Sequence, residues 1–107
     1  AQVRVLIRQG NDVNAAQADG MSALHWAARR GDAGSAQVLL FAGARVDVVT
    51  RNGNYTPLHL AAREGRADVV KLLLSHGANP LAETSTGGAT ALHFAAQHGN
   101  PAAIAAL

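Results

Sequence analysis

The chain has 107 residues, enough for one small domain with a modest core. Apolar residues make up 49% but aromatic ones only 4%, and much of the apolar count is alanine, so elements can approach closely while each contact buries little area. A net charge of +2 with 15% charged residues is too weak an excess to imply nucleic acid or a membrane surface, and the absence of cysteine excludes disulfides and thiolate metal sites.

In chain order, VLIRQGNDVN at 5–14 matches VLLFAGARVD at 38–47, so the chain opens inside a helix ended by Gly10. SALHWAARRG at 22–31, TPLHLAAREG at 56–65 and TALHFAAQHG at 90–99 are three copies of one segment. His25, His59 and His93 are spaced by 34, as are Gly31, Gly65 and Gly99, whereas Gly20 to Gly53 is 33. One residue is therefore added after Gly53, in GNYT, and TGGAT carries the same addition, which places an exposed loop tip there. Each copy divides into three parts. A short first helix follows an N-cap Ser22, Thr56 or Thr90, with Pro57 in the first turn and Gly65 just past the end. A second helix, such as ADVVKLLLSHGA with Val69, Leu72 and Leu73 at helical spacing, ends at Gly77, and Asn100-Pro101 starts its last copy. The remainder is polar, turn-rich and hairpin-like. This reading predicts seven helices, three of the first type starting near residues 23, 57 and 91 and four of the second, with no sheet beyond hairpin pairing.

The frame divides the chain into a partial repeat at 1–14 holding a second helix, repeats at 15–47 and 48–81, and a truncated repeat at 82–107. The ends carry Val3, Val5 and Ile7, and Ile104 and Leu107, in place of the polar faces of terminal repeats, so a longer parent array is expected. No apolar run approaches the roughly 20 residues that span a bilayer, and nothing resembles a signal peptide.

TPLHLAAREGRADVVKLLLSHGANP resembles the ankyrin repeat, with its period near 33 and its T-P-L-H-x-A pattern. The resemblance runs through essentially the whole chain. Departures are mild: Ala23 and Ala91 replace the proline, Gly34 falls inside a second helix, and two hairpins are one residue longer. The resemblance implies an all-α solenoid of stacked helix-turn-helix units with projecting hairpin loops, and a role in protein recognition without catalysis. It also implies that Asn14, eight residues after Leu6, is similar to the asparagine that an asparaginyl hydroxylase modifies in many animal ankyrin repeats.

The three spaced histidines do not read as a metal site. Equivalent positions on stacked helices lie about 8–10 Å apart, whereas a zinc–nitrogen bond is about 2.0–2.1 Å. Each histidine instead follows a Ser or Thr by three residues and can bond that hydroxyl or a neighbouring loop backbone. His76, near a helix C-terminus, suits the dipole. The glycines fall at helix ends and hairpins, apart from Gly34, and form no phosphate-binding fingerprint. No paired carboxylates or nucleophile–base sets recur on one repeat face, so no catalytic group, cofactor or small-molecule substrate is indicated.

What differs between copies is more informative. The hairpin tips and the last residues of the first helices supply Asp19, Met21, Arg29, Arg30, Arg51, Asn54, Tyr55, Arg63, Glu64, Gln97 and His98 as candidate partner-binding residues. In the family these positions line the concave face. Arg29 and Arg63 should stand side by side, with Arg51 reaching toward them beside an exposed Tyr55, and Tyr and Arg are common binding hot spots. The expected partner is another protein presenting an acidic or mixed acidic–aromatic segment. The same residues also fit a solvated face with unconstrained polar choices. Two other roles stay open: a structural spacer arm, or a weak polyanion surface through Arg29, Arg30, Arg51 and Arg63, which a steep salt dependence would reveal.

Overall fold

Each first-type helix begins where a Ser or Thr stands three residues before a histidine. The computed structural model describes residue 14, residues 16–85 and residues 87–107. Among these it forms six helices: α1 (Ala23–Arg30), α2 (Ala33–Phe41), α3 (Pro57–Arg63), α4 (Ala67–Ser75), α5 (Ala91–His98) and α6 (Pro101–Ala106). The first helices start at the predicted positions 23, 57 and 91. The seventh predicted helix falls outside the described residues. Pairing between extended segments is confined to one antiparallel bridge, Ala16 with Ser22, among the described residues.

The capping chemistry differs between helix types. Ser22 and Thr56 are extended, and their hydroxyls accept from the backbone N–H of His25 at 3.4 Å and His59 at 3.2 Å. The second helices use other devices. Asp32 accepts from Ser35 N at 3.0 Å, Asn100 accepts from Ala102 N at 2.9 Å, and Arg66 has no side-chain cap bond. Gly34 lies exposed within α2 without interrupting it.

Helices α1, α3 and α5 form one layer and α2, α4 and α6 the other. The first layer is closely spaced because Ala27, Ala28, Ala61, Ala62 and Ala95 bury completely or nearly so between neighbours. Leu24, Leu58, Leu39, Leu73, Val69 and Val70 fill the seam between layers. A core of alanine and single leucines stabilises each helix pair weakly, so the pair depends on its neighbours.

Polar contacts join one repeat to the next. His25 Nδ1 accepts from Ser22 N at 3.0 Å, and its Nε2–H donates to Tyr55 O at 2.8 Å in the next hairpin. His59 repeats this, accepting from Thr56 N at 2.9 Å and donating to Ala82 O at 2.8 Å. The bonding fixes the Nε2–H tautomer. Neither ring then offers a lone pair to a metal, which gives the 34-residue spacing a structural explanation. His93 forms the same local bond, accepting from Thr90 N at 3.0 Å, but its ring is exposed. Other links run the same way. Arg51 N donates to Asp19 O and Ser85 N to Gly53 O between hairpins, Arg66 Nε donates to Arg29 O, and Asn100 Nδ2 donates to Gly65 O. Asn14 accepts from Arg45 N at 2.8 Å and donates to Gly43 O at 3.3 Å, so its amide serves the stack.

The added hairpin residue has a clear place. Gly53 and Asn54 both have positive φ, 91° and 55°, and Gly87 and Gly88 repeat this at 77° and 62°. Two successive left-handed residues fit a mirror-image turn, where glycine and asparagine are favoured. The longer loop leaves Tyr55 N facing the Thr50 hydroxyl, to which it donates at 3.1 Å, and Ala89 N donates likewise to Thr84 Oγ1 at 3.2 Å.

Two outcomes are expected. His59→Ala lowers stability by about 1–3 kcal/mol, because buried polar partners lose their bonds, and zinc or a chelator leaves the melting temperature unchanged. Stability also depends on pH. Burial holds His25 and His59 below the usual histidine range, against the raising effect of the carbonyls they bond. Below pH of about 6.5 the unfolded chain takes up protons that the folded chain resists. The contribution is therefore complete above that pH and declines as pH falls toward the lower folded pKa. Thermal melts from pH 7.5 to 5 should show this decline, and His59→Gln should make it shallower; an unchanged pH dependence in that variant would count against the assignment.

Candidate interaction surface

The C-terminal halves of α1 and α3 and the hairpins before them enclose an open groove of about 200 Å³. Five of the residues anticipated from the sequence line it: Asp19, Met21, Arg29, Tyr55 and Arg63. Thr50, Asn52 and Leu60 complete it. Leu60 and Met21 contribute apolar surface to it, the hairpins contribute Asp19, Thr50, Asn52 and Tyr55, and the helices contribute the cations Arg29 and Arg63.

Local packing sets the arginines. Arg29 and Arg30 follow Trp26 by three and four residues, the spacing that brings helical side chains onto one face. Their guanidinium carbons lie 5.5 and 5.9 Å from the Trp26 ring. In the next repeat the tryptophan's place is taken by Leu60, which is buried, and the aromatic partner comes from the hairpin. Arg63 lies 5.6 Å from the Tyr55 ring centre. Tyr55 is half-buried rather than fully exposed because it packs on Phe94 at 5.7 Å and meets the His59 ring edge-on at 6.2 Å. Such cation–π contacts hold an arginine while leaving its N–H groups pointing outward.

Charge around the groove is mixed. Arg63 Nε lies 3.5 Å from Glu64 Oε2 in a pair exposed by about two-fifths on each side, a weak contact at that exposure. Asp19 Oδ1 accepts from Met21 N at 2.9 Å, which orients that carboxylate on the hairpin. The guanidinium groups of Arg29 and Arg30 have no carboxylate partner among the described residues.

The other anticipated residues lie around this centre. Arg30 sits beside Trp26, outside the groove lining. Arg51 and Asn54 are exposed on the hairpin, and Arg51 is tied to its neighbour by its backbone N–H. Gln97 and His98 are exposed at the end of α5. His98 has a packing role as well: its ring covers Gly65 so closely that a Cβ there would come within 2.5 Å of it. Leu60, immediately after His59, lines the groove without having been anticipated, and its equivalents Trp26 and Phe94 are half-buried against Arg29 and Tyr55. Their signal was present, since this column differs between copies as the hairpin tips do.

A family model described as ankyrin repeats, in three copies, matches residues 1–84 and 33–107. No curated protein matches the chain.

Proposed function

Because this chain belongs to the ankyrin repeat family, whose members are generally protein–protein interaction modules, we propose that its concave groove docks an acidic or mixed acidic–aromatic protein segment. The observation that carries this reading is the shared groove of Arg29 and Arg63, equivalent residues of adjacent repeats, each with its guanidinium against an aromatic ring. Two like charges in one groove repel one another slightly. Their planar donors suit two-point recognition of carboxylates. The apolar surface of Met21 and Leu60 suits an apolar or aromatic neighbour of the acid.

A polyanion is a poorer fit. Asp19 in the groove and Glu64 against Arg63 break the positive field that a phosphate backbone would follow. A spacer arm alone leaves the placing of Arg29 and Arg63 in one groove unexplained. The role proposed is recognition, and no chemical step is assigned to the chain.

Selection from a random peptide library on the immobilised protein should enrich Asp and Glu together with aromatic residues. Changing Arg29 and Arg63 to Glu together should leave stability within about 0.5 kcal/mol, as for surface sites, while weakening the selected peptides at least tenfold. Undiminished binding by the double variant would place the site elsewhere.

A further inference from the structure

The groove holds charges of both signs that do not neutralise one another. Asp19 lines it together with Arg29 and Arg63. No nitrogen of either arginine comes within 4.0 Å of an Asp19 carboxylate oxygen. Arg63 pairs instead with Glu64, and Arg29 rests against Trp26. His25 feels the Asp19 charge, but burial disfavours its own charged form, so it does not compensate the carboxylate.

The hairpin needs an acceptor at this position, not a charge. Asp19 Oδ1 accepts from Met21 N at 2.9 Å, and an asparagine amide oxygen closes the same kind of turn. The next copy has that residue: Asn52-Gly53 stands 33 positions after Asp19-Gly20, and Thr86-Gly87 takes the place in the third. Oδ2 of Asp19 has no hydrogen bond among the described residues. The backbone that carries this carboxylate is held firmly. The Asp19 carbonyl accepts from Arg51 N at 2.9 Å. Gly20, at φ 82°, lies so close to the next hairpin that a Cβ would come within 2.7 Å of Arg51 N. Asp19 is thus an exposed acid on a fixed backbone, with a charge the turn does not use, and such preorganisation favours binding.

That carboxylate changes what the arginines can receive. A segment carrying only acids would bring negative charge against Asp19, and like charges across an interface are costly. A base in the same segment turns the repulsion into attraction. Lysine and arginine both supply donors for the free oxygen. Asn52 also lines the groove, and its side-chain amide, without a hydrogen bond among the described residues, offers a further acceptor.

We propose that the docked segment is mixed in charge, with its acid on Arg29 or Arg63 and a lysine or arginine on Asp19. This rests on the acidic-docking reading above and adds a basic residue to it. Random peptides are selected in parallel on the intact chain and on Asp19→Asn, which keeps the turn oxygen and should melt at an unchanged temperature. The wild-type chain should enrich Lys or Arg along with Asp and Glu, whereas the variant should keep the acids and lose the bases. A peptide selected on the wild type is then synthesised with its base replaced by norleucine. That replacement should weaken binding to the wild type and to Glu64→Gln at least threefold, and should have no effect on binding to Asp19→Asn. Acidic peptides recovered without a base overturn the mixed-charge reading and leave acidic docking standing. A norleucine effect that persists in Asp19→Asn, or vanishes in Glu64→Gln, does the same. Failure of the wild-type chain to enrich any acidic sequence overturns both.

Discussion

The stack depends on one neutral imidazole used twice. A histidine at the third helical position accepts the N-cap backbone N–H on one nitrogen and donates to the next repeat's hairpin from the other. The first bond closes a helix start, and the second holds the following hairpin at a fixed height. Only a neutral ring with the proton on Nε2 can do both, because a charged imidazole has no acceptor. Burial of His25 and His59 supplies that condition by disfavouring the charged form. Local capping and long-range order are thus one interaction. This suits a chain whose helix pairs bury mainly alanine and could not hold their arrangement alone.

The recognition surface inherits its regularity from that interaction. Tyr55 is the residue whose carbonyl His25 holds, and its ring lies against Arg63 and Phe94. The same backbone position therefore links the buried column to the exposed groove. Asp19 and Arg51 are joined similarly, through backbone atoms of adjacent hairpins, which leaves their side chains at the surface. Tyr55 thus joins His25 and His59 on one side to Arg63 on the other.

Most of the fold was legible because a repeat states its information three times. Caps at Ser22, Thr56 and Thr90, helix-ending glycines and the extra hairpin residue all followed from registering the copies, and each has a local cause. The surface was less legible, since side-chain partners cross repeat boundaries. Nothing near Tyr55 in sequence announces Phe94, 39 positions away, as the ring that half-buries it. Arg66 looks like a free surface charge, yet it donates to Arg29 O and packs along Gly31. Trp26, Leu60 and Phe94 read first as core, because each is an apolar residue inside a helix motif. Of that column, Leu60 lines the groove.

The threonine closure of the longer hairpins separates two kinds of change. Thr50 and Thr84 are buried and bond across the base of the loop through both backbone and hydroxyl, so the tip beyond them is closed off from the helices. The shorter first hairpin, closed by Gln17 N donating to Met21 O, occupies the same place in the stack with one residue fewer. The extra residue is thus accommodated beyond the threonine closure, while Gly53 O still accepts from Ser85 N of the next hairpin. A tip can therefore differ by one residue between copies and keep its closure, provided it still offers the backbone groups that join it to its neighbouring hairpin.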